Sequence, residues 1–411
     1  MRLFQIPIGL GVSILLARFL GPEQFGQYTF VMVLVPLLAL PITGGMQNLL
    51  TREVAAYSHA GKWPLYKGVL RAAHGWVLLV SGTLLLLYYL LAFVLDVIPT
   101  SGKWSLLSIS IIMLPMLGLN AVRSGVIKGL GRPAMAELPG LLIQPTIGLL
   151  SLAAIAYTMG LNAERAIWVQ VGSAASSLLI ASLIFAKIRP QESNRQRPEY
   201  ELKSWAAAFT PFVLLALIGT FSAQLGILAL GLFSSDDQVA ALRVAERGAQ
   251  FVTMSLVVVN LIISPHIVKA YRSNDMELLQ KLSKQSARGA FAIALPIGLV
   301  FIFFGDWLLG ILFGEEYSNL SYIPLVILVV GQLINVFFGS VGFMLAMTGH
   351  EKLSFKGTVL ALAINLVLCS VLIPFYGAIG AAIAVSVSVV IWNITFGYMV
   401  FTKLGIRPSA L

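Results

Sequence analysis

The chain of 411 residues has one cysteine, four histidines and little charge. Charged residues make up 11% of it, against about 25% in soluble proteins. With no second cysteine, Cys369 forms no intrachain disulfide, and one thiol builds no metal cluster. Its place inside an apolar run is that of a small core residue. His59, His74, His266 and His350 are too scattered for a metal site, and there is no H-E-x-x-H. His74 and His266 fall near helix ends, where packing at the membrane interface accounts for them. No G-x-x-x-x-G-K-[ST] stretch exists either. Gly61-Lys62 and Gly102-Lys103 lack the upstream glycine and the following hydroxyl. Gly129-Leu130-Gly131 lacks a third glycine and a preceding strand. Neither a cofactor nor a nucleotide is therefore expected. No acid lies at a helix centre; Glu246 and Asp306 sit near helix ends.

What is abundant is apolar surface. Apolar residues are 58% of the chain, or roughly 238 residues, close to the ~240 that twelve membrane-spanning helices of about 20 need. Nothing is left for a separate soluble core. A soluble enzyme, a nucleic-acid-binding module and a disordered chain are excluded, so no nucleic-acid partner is expected despite the net charge of +10. The apolar runs are 3–20, 27–50, 76–95, 106–122, 138–157 and 167–186, then 209–233, 248–263, 289–313, 322–347, 357–375 and 378–401. The run at 248–263 is short unless it begins upstream, at charged residues. A signal peptide would also fit the first run. Ala17-Arg18-Phe19 is a poor cleavage site, so a retained first helix is expected.

Loop charge orients the chain. With the N-terminus in the cytoplasm, 22 of the 27 lysines and arginines fall in cytoplasmic segments. The other five are Arg18, Lys103, Arg165, Arg243 and Arg247. Adding or removing one helix would destroy this asymmetry, so an even count with both termini cytoplasmic is predicted. The outer loops are short. A polar stretch around Arg189–Pro198 reads as a linker. The expected organisation is an N-terminal six-helix bundle at 1–188, a cytoplasmic linker at 189–204 and a C-terminal six-helix bundle at 205–411. Lys269, Lys284, Arg288, Gly357 and Gly377 follow Arg52, Lys67, Arg71, Gly140 and Gly160 by 217 residues each. This points to an internal duplication with parallel halves. Between Met276 and Arg288, apolar and basic residues alternate as in a helix lying on an anionic leaflet. A plain solvated connector fits equally well.

Charges at membrane depth are costly without a wet cavity or a partner. Arg18 lies in the first run and Arg123 ends the fourth. Arg243, Glu246 and Arg247 open the eighth at helical spacing, on one face. Snorkelling to the interface also explains Arg18 and Arg123, and an outer-surface ion pair also explains the trio. An excess of arginine over acid favours an anionic substrate, phosphate above all. The candidate substrate-binding residues are Arg18, Asn48, Arg123, Arg243, Arg247 and Gln250, with Glu246 as candidate coupling acid. Catalytic residues and metal ligands are not expected. Further helix amides are Gln47, Asn120, Gln144, Gln224, Asn260, Gln332, Asn335 and Asn365, which suit glycan hydroxyls or bonds between helices. Helix prolines such as Pro36, Pro145, Pro211 and Pro296 mark bent or cavity-lining helices. Gly310 and Gly314 form a G-x-x-x-G pair that permits close packing.

Three motifs carry a family likeness. Leu16-Ala17-Arg18-Phe19-Leu20-Gly21-Pro22-Glu23-Gln24-Phe25-Gly26-Gln27-Tyr28 resembles the signature of bacterial polysaccharide-biosynthesis membrane proteins, the Wzx-type flippases of O-antigen and capsule repeat units. Leu312-Phe313-Gly314-Glu315-Glu316-Tyr317 resembles a second stretch of that family. Thr348-Gly349-His350-Glu351-Lys352, with Asn365 and Ile373–Ala382, resembles its C-terminal pattern. The superfamily also holds multidrug-and-toxin exporters and lipid II flippases. The resemblance implies an all-α polytopic membrane protein of about twelve helices in two six-helix bundles around a central cavity, MATE-like. It implies transport of a polyprenyl-pyrophosphate-linked oligosaccharide from the cytoplasmic to the outer leaflet of the bacterial inner membrane. By position, Arg18 is the signature arginine. The implied partners are the lipid-linked glycan, membrane lipids and other polysaccharide-assembly membrane proteins. The alternatives are an ion-coupled multidrug or small-solute antiporter of the same fold and, less favoured because the outer loops are short, a membrane glycan polymerase or glycosyltransferase.

Overall fold

The computed structural model describes every residue except 1, 100, 193–195, 274, 350, 407–409 and 411, and the side chains of 2–6, 261, 264, 346, 351 and 352 also lie outside the description. Arg195, His350 and Arg407 are thus not placed, nor are the side chains of Arg2 and Lys352. Among the described residues the secondary structure is helical, without strands. The helices are α1 (Arg2–Leu38), α2 (Leu40–Thr43), α3 (Met46–His59), α4 (Trp63–Tyr89), α5 (Lys103–Ser110), α6 (Met113–Gly129), α7 (Pro133–Leu138), α8 (Gln144–Thr158) and α9 (Ala163–Ile188). There follow α10 (Leu202–Phe233), α11 (Asp236–Arg272), α12 (Met276–Phe313), α13 (Glu315–Phe338), α14 (Val341–Met347) and α15 (Glu351–Leu404). A π-helical turn at Pro139–Ile143 joins α7 to α8. Pro139 and Pro145 each lack an N–H, which loosens the ladder there.

Two long helices are each divided by a turn at a glycine. At 1.5 Å per residue the 54 residues of α15 would reach roughly 80 Å, against ~30 Å of hydrocarbon. α15 turns at Gly377 (φ 51°, ψ −128°), and α1 turns at Gly21 (φ 71°, ψ 172°). Seven helical stretches are apolar and long enough to span a membrane singly, and three bent pairs do so together. That makes seven to ten spans among the described residues by length and composition, and the turns at Gly21 and Gly377 divide two of these stretches further. The short run at 248–263 does begin upstream: α11 starts at Asp236 and carries Arg243, Glu246 and Arg247 inside the helix. Large apolar side chains such as Leu86 (72%), Phe303 (72%) and Phe375 (80%) stand exposed, as a lipid-facing surface requires. The chain is a multi-pass membrane protein.

The chain separates into two compact units, Met1–Phe221 and Ser222–Leu411. One contact recurs in both. In the first unit, Gln24 Oε1 accepts from the Ala163 amide at 3.0 Å. In the second, Gln238 Oε1 accepts from the Ala378 amide at 2.9 Å. Each glutamine opens the second crossing of its unit, and each amide opens the sixth. A helix start has N–H groups with no partner in the helix, and a side-chain oxygen from a distant segment fills one. Gly377 suits its place twice over: its φ is positive, and a Cβ there would come 2.6 Å from Gln238 Oε1. Gly160 (φ 72°), 217 residues before Gly377, makes the corresponding corner of the first unit, and Gly21 makes the corner between that unit's first two crossings.

The linker stretch is tied down where it is described. The Glu199 amide donates to Pro64 O at 3.1 Å, and Lys67 Nζ donates to Gln196 O at 2.9 Å. Gly68 of α4 lets the strap lie close, since a Cβ there would meet Glu199 O at 1.6 Å. Trp205 Nε1 donates to Tyr57 Oη at 2.9 Å, which fixes the start of α10 on the same unit.

Candidate functional site

In the first unit the site is built on α6. Small residues bring this helix against its neighbours. A Cβ on Gly125 would lie 2.9 Å from Gln47 O, and one on Gly129 would lie 2.7 Å from Val54 Cβ. These glycines, four apart, let α6 and α3 approach backbone to backbone. Gly310 of the pair expected to do this has nothing within 4 Å of its would-be Cβ, and Gly314 is the corner between α12 and α13 with φ 114°. The close packing is at Gly125–Gly129 instead. The sequence shows both spacings equally and cannot say which one faces a helix.

With α6 so placed, Arg123 is half-buried among α4 and α9. Its Nη1 meets His74 Nε2 at 2.7 Å, and its Nε donates to Ser182 Oγ at 3.3 Å. The Phe185 ring lies 4.9 Å from the guanidinium carbon, a cation–π contact. His74 Nδ1 lies 2.6 Å from Leu70 O. A carbonyl only accepts, so Nδ1 carries the proton; a guanidinium only donates, so Nε2 accepts. The imidazole is therefore neutral in this arrangement. Tyr66 is 1% exposed, interacts electrostatically with Arg123, and its hydroxyl has no hydrogen-bond partner among the described residues. No carboxylate lies within ion-pair distance of Arg123 among the described residues. The cluster is cationic, held by neutral groups.

In the second unit four predicted residues share one face of α11. Arg243 Nη1 donates to Glu246 Oε2 at 3.2 Å, with the side chains 18% and 20% exposed. Arg247 Nη1 donates to Gln250 Oε1 at 3.2 Å. Glu246 lies in the field of both arginines, so this face holds two cations against one anion. Gln250 and Asn48 are exposed, and so is Arg18, one helical turn before the Gly21 corner. It is the neighbour of Asn48, Gln47, that bonds inward, to Ser124 Oγ at 2.6 Å.

Three of the remaining amides link separate segments. Asn120 donates to Ser177 Oγ at 2.9 Å and Asn393 donates to Asn335 Oδ1 at 2.9 Å, while Asn335 also donates to Gln332 Oε1 at 3.0 Å within α13. Ser340 donates to Asn260. Sequence reasoning missed His74, Tyr66 and Ser182 as neighbours of Arg123, and missed Asn393. Their partners lie 49 to 59 residues away for His74, Ser182 and Asn393, beyond any helical spacing. The one available signal was His74 itself, an ionisable group inside a spanning segment.

Residues 1–271 match the family described as "Polysaccharide biosynthesis protein". The chain belongs to the polysaccharide biosynthesis protein family. Two curated proteins align with this family member. One is a probable low-salt glycan biosynthesis flippase, Agl15, of Haloferax volcanii: 23% identical over 195 residues, covering 47% of this chain and 41% of that protein. The other is the capsular polysaccharide biosynthesis protein CapF of Staphylococcus aureus: 26% identical over 140 residues, covering 34% of this chain and 35% of that protein. The aligned stretches span less than half of either relative. Among solved structures, an inward-facing multidrug resistance MATE transporter of the MOP superfamily matches with TM-score 0.78 at 15% identity, covering 98% of this chain and 94% of that one. The lipid II flippase MurJ in an inward closed conformation matches with TM-score 0.75 at 15% identity, covering 97% and 86%. The chain thus has a MATE-like all-α fold.

Proposed function

We propose that this chain is a flippase that carries polyprenyl-pyrophosphate-linked oligosaccharide repeat units from the cytoplasmic to the outer leaflet by alternating access, for surface polysaccharide biosynthesis. The supporting observation is Arg123: a half-buried guanidinium on a spanning helix whose partners, His74, Ser182 and the Phe185 ring, are all neutral. A charge at membrane depth is costly without a wet cavity or a partner. An anion arriving on the substrate compensates it, and a phosphate oxygen suits the planar fork of arginine. Arg243 and Arg247 on α11 supply a second cationic face, and Arg18 a third position. Asn48 and Gln250, both exposed, offer amides to glycan hydroxyls. The names of the two curated relatives agree with this reading.

The alternative, an ion-coupled small-solute antiporter of the same fold, draws on Glu246, the carboxylate between Arg243 and Arg247. As a coupling acid it would release Arg243 on protonation. Further inferences within the reading are a bacterial inner-membrane location with both termini cytoplasmic, and a place beside other polysaccharide-assembly proteins. No covalent chemistry is assigned to the chain.

The test uses a strain lacking its own copy of this gene. Arg18, Arg123, Arg243 and Arg247 are replaced singly by alanine, and surface glycan and membrane abundance are measured together. Loss of glycan at normal abundance is expected. Full glycan in all four strains would remove the arginines from the substrate path.

A further inference from the structure

The first unit holds a cavity of about 370 Å³ that the charged clusters do not use. Its walls come from α2, α3, α4 and α10, with Pro41, Val69, Trp76, Trp205, Phe209 and Leu214 among them. Three lining side chains carry polar atoms, and each is already engaged. Trp76 Nε1 donates to Pro41 O at 2.9 Å, Trp205 Nε1 to Tyr57 Oη at 2.9 Å and Thr210 Oγ1 to Ala206 O at 2.9 Å. The other lining side chains are Pro, Met, Leu, Val, Ala and Phe. Such a wall rewards only hydrocarbon, because a polar ligand would lose its hydration with nothing in return.

Position and size narrow the occupant. Along α10 the lining runs from Leu202 to Leu214, roughly 18 Å at 1.5 Å per residue, close to one leaflet of a ~30 Å hydrocarbon core. By loop charge its Leu202 end is the cytoplasmic one. The chain entering α4 and α10 at that end carries Lys62, Lys67, Arg197 and Lys203, which makes that rim basic. An apolar cavity of about 150 Å³ takes one benzene, so 370 Å³ holds roughly fifteen carbons, or three isoprene units. That is one chain below a cationic rim. A polyprenyl pyrophosphate has one chain and a strongly anionic head, whereas a phospholipid has two chains.

We propose that this groove seats the isoprenoid segment next to the pyrophosphate while the substrate loads from the cytoplasmic leaflet. The proposal rests on the flippase reading above. Packing supports a preformed groove: Trp76 and Phe209 meet edge to face at 6.3 Å, and a Cβ on Gly45 would lie 2.2 Å from Phe212 Cβ, so α10 is seated firmly at the deep end.

The experiment uses the full chain in nanodiscs of phosphatidylethanolamine and phosphatidylglycerol. A fifteen-carbon isoprenoid pyrophosphate with a diazirine on its chain is photolysed, and labelled peptides are mapped. Labelling of α4 and the first half of α10 is expected. Unlabelled polyprenyl pyrophosphate should lower it at least tenfold, and added phosphatidylglycerol should not. Ala206→Trp, which fills the groove, should lower it at least fivefold at an unchanged melting temperature. Should that variant fail to fold, Ala72→Leu replaces it. Label elsewhere, equal competition by phosphatidylglycerol, or full labelling of a folded, filled variant would each overturn the groove. Surface glycan restored by the unaltered chain separates the two claims. If glycan returns while α4 and α10 stay unlabelled, the groove falls and the flippase reading stands. If glycan does not return, the flippase reading falls, and the labelling still decides whether the groove takes an isoprenoid.

Discussion

Two glycines on α4 are predicted to respond oppositely to the same substitution. Gly82 is exposed, with nothing within 4 Å of a would-be Cβ. Gly82→Ala should add the helix propensity of alanine, about 0.5–1 kcal/mol. Gly68→Ala gains the same propensity, but its Cβ would lie 1.6 Å from Glu199 O, and real Cβ contacts under 3.0 Å are essentially unknown. The strap must retreat by more than an ångström. It then loses the Glu199–Pro64 and Lys67–Gln196 hydrogen bonds, about 0.5–1.5 kcal/mol each. Residual overpacking typically costs about 1–3 kcal/mol. The net is a destabilisation of about 1–5 kcal/mol, and because the propensity gain is common to both, the two variants should differ by about 2–6 kcal/mol. At about 2 °C per kcal/mol for a chain of this size, that is a gap of roughly 4–12 °C in melting temperature. Thermal melts in detergent read the gap, and glutamyl-endopeptidase cleavage after Glu199 reads the strap directly. If Gly68→Ala melts as high as Gly82→Ala and its strap stays protected, the docked strap is wrong. The consequence reaches the groove, because the strap leads into Leu202 and Trp205 on its wall.

Replacing His74 with leucine leaves Arg123 Nη1 without its acceptor. A hydrogen bond to a charged group is worth about 1.5–3 kcal/mol, so a roughly ten- to hundredfold loss of glycan assembly at retained abundance is expected, read by quantitative glycan staining. Normal staining would show that Arg123 is positioned by other means. Removing Arg243 or Glu246 alone should each cost about 1–2 kcal/mol, and the double replacement with glutamine less than the two together; strict additivity in a double-mutant melting cycle would mean the pair is uncoupled. Gln24→Ala and Gln238→Ala should each lower stability by about 1 kcal/mol, in the range of a lost helix cap. They sit in different units, so their effects should add to within about 0.5 kcal/mol. Non-additive melts would contradict independent repeats.

Much of the architecture was legible in the amino-acid order because lipid allows few alternatives. A backbone crossing hydrocarbon must satisfy its own N–H and C=O groups, so apolar runs of membrane length became helices. Charge asymmetry in the loops required an even number of them. The corners at Gly21 and Gly377 were visible as motif residues, although only backbone angles showed why glycine stands there. Arg243, Glu246 and Arg247 could be placed on one face because a single helix carries them, and helical spacing is local information. Arg123 could be named as a costly charge, but its neighbours could not. His74 and Ser182 reach it from other helices, and the packing that brings them there is set by Gly125 and Gly129. The G-x-x-x-G spacing at Gly310 and Gly314 was equally plain, yet Gly310 meets no neighbouring helix. The apolar groove left no trace in the order of residues, since each of its walls looks like any lipid-facing helix. Hydropathy determined which stretches of this chain are membrane-length helices. Tertiary structure decided which buried cation stands among neutral partners and which greasy surface is concave, because both depend on contacts between segments that no local period records.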